Sequence, residues 1–158
     1  MMGRYGVRLL ASTISSPSAA MASVMNRVED IVEILNMHVI AVVGCSGNPD
    51  RPSHQVASYL KEAGYHVIPV HPKYEKVIGE KCYPSLLDIH EPVDVVDIFR
   101  RSDRVLPIVE EAIRINAKAI WMQDGVHHEA AAELARKNGL RVVTDDCIMR
   151  QHLNQVAK

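Results

Sequence analysis

Short apolar runs alternate with segments of helical periodicity along most of this chain, from Val28 towards its end. The apolar runs, such as 39–43 and 141–143, have the length of buried strands, and the segments between them have the length of helices. Strands and helices that alternate in this way form βαβ units with right-handed crossovers and a parallel sheet. The pattern therefore predicts an α/β fold, a Rossmann-like three-layer sandwich around a mostly parallel five-stranded sheet. The other predicted strands are 67–70, 93–99 and 117–122.

The length and composition of the chain limit the partners that it can have. Its 158 residues suit one domain, which we place at residues 26–158. A formal net charge of −1 gives no electrostatic reason to expect nucleic acid, and no apolar run approaches the ~20 residues of a membrane span. The three cysteines lie far apart, which argues against a disulfide framework and favours a reducing compartment. We therefore expect a soluble protein with a small-molecule ligand, and the sequence leaves homodimerisation open.

Residues 1–25 differ in composition from the rest of the chain. They contain arginine but no acid, and five serines lie between Ser12 and Ser23. An acid-poor, serine-rich, weakly basic segment is typical of a mitochondrial or plastid transit peptide; a disordered extension, or a start at Met21 or Met25, is the alternative. We leave this N-terminal extension out of the fold. The expected location is cytoplasmic, or the mitochondrial matrix if the segment is a transit peptide.

Ligands of a doubly wound sheet bind outside the carboxyl ends of its strands, so the residues after each strand are the candidate binding residues. Gly44, Cys45 and Ser46 follow the first strand. The glycine lets backbone N–H groups approach an anion, and Ser46 adds a hydroxyl donor. Because the next helical pattern starts only at Ser53, its expected N-cap, we expect an anion to meet a loop here rather than a helix tip.

The end of the second strand carries the sharpest signal, because Val70 leads directly into His71, Pro72 and Lys73. A dinucleotide fold that binds NAD has an acidic residue at this point, which accepts hydrogen bonds from the ribose 2′-hydroxyl. This chain offers a cation, Lys73, and a candidate second cation, His71. A cation suits a phosphate on the ribose rather than a free hydroxyl. The ligands to distinguish are therefore NADP, with a 2′-phosphate, and coenzyme A, with a 3′-phosphate.

Two arginines follow the third strand. Phe99, Arg100 and Arg101 lie beside a helix that we expect Ser102 to cap, so that charge and helix dipole together suit an anion. A nearby aspartate can pair with one arginine. We therefore expect one arginine to face the ligand and the other not to.

Trp121, Met122 and Gln123 end the fourth strand and begin the loop after it. The single tryptophan is more often a core residue than a ligand platform. Gln123 is able to contact an amide-bearing chain such as pantetheine. Each of the four signals is weak alone, but all four lie at one edge of the predicted sheet, and their convergence predicts a site for a phosphorylated nucleotide.

The four strand ends, together with the residues around them, make residues 28–155 resemble a known family. This family is the small single-domain CoA-binding proteins, which are related to the nucleotide-binding domain of succinyl-CoA synthetase alpha subunits. The matching stretches are 40–46, 64–74, 79–86, 93–101 and 121–123. The resemblance implies that loop 44–46 holds the CoA pyrophosphate and that Val70, Pro72 and Lys73 meet the adenosine and its phosphate. It also implies that Phe99, Arg100 and Arg101 line the cleft, with Trp121, Met122 and Gln123 on its far side. The chain departs from the usual pattern at Cys45, His71 and Asp124, where an alanine, an asparagine and an apolar residue are common.

The resemblance implies non-covalent binding of coenzyme A or an acyl-CoA, without turnover by the domain alone, because succinyl-CoA synthetase needs a second domain and a partner subunit. One alternative is an NADP-dependent oxidoreductase, which the absent G-x-G-x-x-G motif counts against. Another is a CoA- or redox-sensing interaction protein. In that case a cation near Cys45 would lower the pKa of its thiol; packing as a small buried residue under the loop is the other interpretation.

Adjacent histidines, His127 and His128, cannot both face one metal ion, so we expect no metal site.

Overall fold

Five parallel strands form the central sheet of the computed structural model, which describes residues 26–157. The strands of this sheet are β1 (Val39–Val43), β2 (His66–Val70), β5 (Val95–Ile98), β6 (Ala119–Met122) and β7 (Arg141–Val143). A separate antiparallel hairpin comprises β3 (Lys76–Val77) and β4 (Glu80–Lys81). The order in the sheet is β2-β1-β5-β6-β7, and every neighbouring pair is parallel. The predicted fold class is therefore confirmed, whereas the predicted N-terminal extension lies outside the described residues.

Helices cover both faces of the sheet and make it the middle of three layers. The helices are α1 (Val28–Leu35), α2 (Pro52–Glu62), α3 (Val105–Arg114), α4 (Glu129–Lys137) and α5 (Ile148–Val156). One core cluster joins α1, α2 and α5 to one face of the sheet, and a second joins α3 and α4 to the other face. Neighbouring residues of a strand point to opposite faces, so Val95 belongs to the first cluster and Val96 to the second. This double coverage explains why the strands read as continuous apolar runs.

The strands β5 and β6 are shorter than the predicted strands 93–99 and 117–122. The side chain of Asp94 accepts hydrogen bonds from the amides of His38 and Val39, at 3.1 and 2.9 Å, and pairs with Lys118 at 3.2 Å. This carboxylate therefore links the starts of β1 and β6 at the amino-terminal edge of the sheet. The strand β5 begins at Val95, two residues later than predicted.

Both predicted serine caps are wrong, because each hydroxyl bonds to another loop. Ser53 lies inside the first turn of α2, and its Oγ accepts from the amide of Ser46 at 2.9 Å. Ser102 begins a short 3-10 turn ahead of α3, and its Oγ accepts from the amide of His127 at 2.9 Å. The histidine after it, His128, does cap a helix, since its Nδ1 accepts from the third amide of α4. The two serines therefore fix loops at the carboxyl edge of the sheet instead of helix ends.

The hairpin β3–β4 turns at Ile78 and Gly79, both with positive φ, 53° and 75°. Two positive φ values in a two-residue loop define a type I′ turn. Lys61 of α2 holds this turn, because its Nζ donates to the Ile78 carbonyl at 2.7 Å and pairs with Glu80 at 3.0 Å. The hairpin is thereby fastened to the helix layer beside the end of β2.

Candidate functional site

The four predicted strand ends meet at one edge of the sheet, beside a cleft of about 920 Å³. Val43 pairs with both Val70 and Ile98, and Ile98 pairs with Met122. These strands therefore finish level with one another. The chain winds in opposite directions from β1 and from β5, so the cleft lies at the switch point where such sheets bind ligands. The predicted site residues that line it are Gly44, Ser46, His71, Lys73, Phe99, Arg100, Arg101 and Gln123.

Gly44 is required by close packing at the floor of the cleft. Its φ is +83°, and a Cβ there would lie 2.3 Å from the carbonyl oxygen of Phe99 and 3.1 Å from Cδ of Arg100. No side chain fits without moving the backbone that follows β5. The loop after β1 and the loop after β5 consequently touch, and the cleft floor is narrow at this point.

The amides of the first loop are less available to an anion than the sequence suggests. Those of Gly44 and Cys45 donate to the last carbonyl of β2, and that of Ser46 donates to the Ser53 hydroxyl. Within residues 26–157, the amide of Gly47 has no such partner. The donors that remain are this amide and the Ser46 hydroxyl.

The start of α2 also faces the cleft, contrary to the expectation that only a loop would. Pro52 and Ser53, in the first turn of this helix, both line the cleft. No side chain caps the helix, and first-turn amides have no acceptor within a helix. A helix N-terminus carries partial positive charge, so α2 adds to the attraction for an anion.

His71 and Lys73 lie together at the end of β2, and only Lys73 is a ready cation. The Nδ1 of His71 accepts from the Lys73 amide at 3.0 Å, and its ring lies 4.6 Å from the ring of Tyr74. Burial, followed by the charges of Lys73 and Arg100, lowers the pKa of His71. The lowered pKa favours the neutral form of His71 in the protein without ligand and so disfavours it there as a second cation.

The two arginines after β5 both line the cleft, but they differ in their partners. Arg101 pairs with Asp103 through Nε and a terminal nitrogen, at 3.4 and 3.1 Å. Arg100 has no carboxylate partner among residues 26–157, and it packs beside Gly44. Arg100 is thus the arginine whose charge is open to the cleft.

The far side of the cleft contains a compensated charge pair and a buried amide. Arg150 of α5 binds both oxygens of Asp124, at 2.8 and 3.0 Å, and also Asp146 at 2.8 Å. Hydrogen bonds from Arg150 lower the pKa of Asp124, so this carboxylate is ionised but neutralised by its partner. Gln123 is buried and its Oε1 accepts from the amide of Ile148 at 3.2 Å, which leaves its NH₂ group for other partners.

The remaining predicted site residues do not line the cleft. The side chains of Cys45, Val70, Trp121 and Met122 are buried beneath it, and Pro72 is exposed beside it. The Nε1 of Trp121 donates to the carbonyl of Asp146 at 2.9 Å, so the tryptophan is a core residue that also fixes the loop carrying Asp146. These side chains support the site from below.

The Cys45 thiol is not activated, contrary to one of the sequence-based interpretations. Its side chain is fully buried, and burial, followed by the proximity of Cys82 and Asp97, raises the pKa of Cys45 to about 12. A thiol in this state is not the thiolate that exchanges with disulfides. The other interpretation, a small residue packed under the loop, agrees with its place in the core cluster of α1, α2 and α5.

Within 26–157, no group of His, Cys, Asp and Glu side chains is arranged to hold a metal ion. None of the helices in that range is long and apolar enough to cross a membrane.

Comparison with known proteins identifies the family, since the model of the CoA binding domain family matches residues 38–152. This chain belongs to the CoA-binding domain family. The match spans β1 to α5 and so includes every loop that borders the cleft.

Relatives of this CoA-binding domain include small proteins and large ligases. An uncharacterized protein of Bacillus subtilis, YneT, is 40% identical over 124 residues, which cover 78% of this chain and 92% of the relative. A solved structure of a hypothetical protein from Pyrococcus horikoshii has a TM-score of 0.78 and 40% identity, covering 92% of this chain and 99% of that one. The alpha subunit of ADP-forming acetate–CoA ligase II from Pyrococcus furiosus is 30% identical over 132 residues, which cover 75% of this chain but 29% of the subunit. The chain thus matches these small relatives over more than nine-tenths of their length and spans under a third of that ligase subunit.

Arg51, Tyr74 and Arg150 line the cleft but were not among the predicted site residues. Arg51 and Tyr74 lie in loops that follow β1 and β2, so a search of the whole loops, rather than of their first residues, would have found them. The Tyr74 ring lies over Gly47, where a Cβ would be 2.8 Å from its Cε1. Arg150 carries no such signal, since it belongs to a helix beyond the last strand and reaches the cleft only through the tertiary fold.

Proposed function

We propose that the cleft binds coenzyme A or an acyl-CoA non-covalently, and that the domain alone does not turn its ligand over. One observation carries the proposal. Three cations, Arg51, Lys73 and Arg100, line a single cleft, and none has a carboxylate partner within the described part of the chain. Three cations that converge on one concave site and are not neutralised there favour a ligand with several negative charges. Coenzyme A carries a pyrophosphate and a 3′-phosphate.

The other parts of the cleft suit the remaining groups of such a ligand. The first turn of α2 and the Gly47 amide offer donors for a pyrophosphate next to the floor at Gly44. The Ile148 amide occupies only the Oε1 of the buried Gln123, so the NH₂ group of this side chain can donate to another partner. A pantetheine chain offers amide carbonyls as acceptors. The relatives named as acetate–CoA ligases act on CoA, which supports the same ligand for this domain.

NADP is the second candidate, favoured by the same cation at the end of β2. Lys73 would meet a ribose 2′-phosphate as well as a 3′-phosphate, and the position has no acid to bind a free ribose hydroxyl. A redox-sensing role through Cys45 has less support, because that thiol is buried with a raised pKa. Homodimerisation and a cytoplasmic or mitochondrial location stay predictions.

A thermal-shift comparison of the full chain with CoA, acetyl-CoA, dephospho-CoA, NAD and NADP at equal concentration tests the proposal. A ligand that binds only the native state stabilises it by about 2.7 kcal/mol at a free concentration of 100 Kd. We expect the melting temperature to rise with CoA and acetyl-CoA, to rise less with dephospho-CoA and to stay unchanged with NAD. A double variant, Arg51→Met with Arg100→Met, should lose the CoA shift while melting as a folded protein. A melting temperature that rises with NADP alone, or with none of the five ligands, would contradict the proposal.

A further inference from the structure

Two cations and a neutral histidine lie around the end of β2 and form a group that has no counter-ion. His71, Lys73 and Arg100 line the same cleft. Asp124 is the one carboxylate that lines the cleft among the described residues, and both of its oxygens are bound by Arg150. No carboxylate that lines the cleft is therefore free to neutralise Lys73 and Arg100, and the group is open to an anionic ligand.

The fold holds the His71 ring in one orientation within that group. On its own loop, the Lys73 amide donates to Nδ1 at 3.0 Å and the Tyr74 ring packs at 4.6 Å. Since Nδ1 accepts, the neutral ring carries its proton on Nε2. From the segment after β4, the Cys82 thiol donates to the His71 carbonyl at 3.6 Å; from the loop after β5, Arg100 is the charged neighbour. No acid faces the ring from any of these elements within residues 26–157, so nothing in the free protein favours the imidazolium.

We propose that His71 takes up a proton when a phosphomonoester dianion binds beside Lys73 and Arg100, and that the cleft thereby distinguishes a terminal phosphate from a bridging one. This inference rests on the proposed function of the same cleft. A terminal phosphate brings close to two negative charges at neutral pH, whereas each phosphorus of a bridging pyrophosphate brings one. The extra charge supplies the counter-ion that the group lacks, and the ring becomes a third cation facing it. The CoA 3′-phosphate and the NADP 2′-phosphate share this chemistry.

The proposal has a defined sign with pH. Burial and two cations lower the pKa of His71 in the free protein, and an adjacent dianion raises it. Binding then takes up a proton, so affinity for the terminal phosphate rises as pH falls, with a limit of tenfold per pH unit for one linked proton. The second pKa of a phosphomonoester is about 6, so between pH 7.0 and 8.5 the ligand stays largely a dianion and the protein supplies the change.

His71→Asn separates the titration from the structure of the loop. An asparagine Oδ1 accepts from an amide two residues on, as the His71 Nδ1 does from Lys73, but it does not titrate. His90→Asn, at an exposed position away from the cleft, is the matched control. Dissociation constants are measured by calorimetry at pH 7.0 and pH 8.5 for CoA, dephospho-CoA and NADP, with inorganic phosphate as a competitor.

We expect the preference of the wild type for CoA over dephospho-CoA to be several-fold larger at pH 7.0 than at pH 8.5. His90→Asn should keep that change and His71→Asn should lose it while still binding CoA at pH 8.5. Binding of CoA with a preference that ignores pH, or a pH dependence that persists in His71→Asn, would overturn this inference and leave the proposed function intact. If CoA fails to bind but NADP binds with the His71-dependent signature, the proposed function falls and the inference stands. Failure of both ligands to bind overturns both.

Discussion

If the cleft binds coenzyme A as proposed, recognition of the ribose phosphate depends most directly on Lys73. It lines the cleft at the end of β2 and has no carboxylate partner within residues 26–157. A hydrogen bond between an ammonium and a phosphate contributes about 1.5–3 kcal/mol, so Lys73→Met should weaken CoA binding roughly 10- to 150-fold. Affinity for dephospho-CoA should hardly change, because that ligand lacks the 3′-phosphate. Calorimetry with both ligands measures the difference, with the exposed Lys76→Met as control; equal losses for the two ligands would refute the role of Lys73.

Asp97 makes the stability of the protein depend on pH in a direction opposite to that of most carboxylates. It is fully buried in β5, and neither carboxyl oxygen has a hydrogen-bond partner among the described protein atoms. Burial raises the pKa of Asp97 well above its usual value of 3.8, so the folded state keeps a proton that the unfolded state releases. Stability from this group is therefore complete below pH 3.8 and declines as pH rises, by at most about 1.4 kcal/mol per pH unit.

Asp97→Asn should remove that decline. The variant is expected to match the wild type near pH 4 and to be the more stable protein at pH 7, as measured by urea unfolding at several pH values. The exposed Asp88→Asn should follow the wild type throughout. A wild type and an Asp97→Asn variant with parallel pH profiles would show that Asp97 is ionised in the folded state.

Among single residues, the sequence predicted the properties that follow from position at a strand end and from charge. It missed the properties that depend on neighbours in the folded chain. The placement of Lys73 and of one cleft-facing arginine followed from strand ends and charge. Which of the two arginines is left without a carboxylate partner depends on Asp103, two residues beyond Arg101. The neutral state of His71 depends on charges that only the folded chain brings together, and the buried carboxyl of Asp97 breaks the apolar pattern of its strand without any local cause.

At the scale of elements, the junction between β1 and its loop depends on Gly44. A residue with a side chain at φ +83° costs about 1–2 kcal/mol, and here the Cβ would also meet the Phe99 carbonyl at 2.3 Å. Gly139 is a matched control, because its φ is also +83° and a Cβ there has nothing within 4 Å. Gly44→Ala should therefore destabilise the protein by about 1–3 kcal/mol more than Gly139→Ala and should impair CoA binding, whereas Gly139→Ala should bind normally. Equal unfolding free energies in the two variants would contradict the close packing of these loops.

Helix and strand positions were predictable from periodicity, but the ends of these elements were not. The apolar stripes of α2 and α3 gave their length, because burial against the sheet requires that spacing. Ser53 and Ser102 looked like caps because a serine before an apolar stripe is the usual local signal. In the structure, the amides of Ser46 and His127 donate to those two hydroxyls, and these partners lie in other loops that only the fold brings to the serines.

At the scale of the whole molecule, the cleft arises from strand order. The sequence predicted parallel strands, and their carboxyl ends necessarily share one edge. It did not give the order β2-β1-β5-β6-β7, which places the switch point between β1 and β5 and brings Arg100 beside Gly44. The same arrangement brings α5 and Arg150 to the far side of the cleft, a contact that no local pattern encodes.

The most direct test of the account is a map of amide chemical shifts of the ¹⁵N-labelled protein as CoA is added. We expect saturable changes at the cleft, at Gly47, Lys73, Arg100 and Gly125, which belong to the loops after β1, β2, β5 and β6. The chemical shifts of amides at the amino-terminal edge of the sheet should not change. Changes confined to another surface, such as the small groove between α1 and α5, or no saturable change at all, would contradict the claim that this cleft binds coenzyme A.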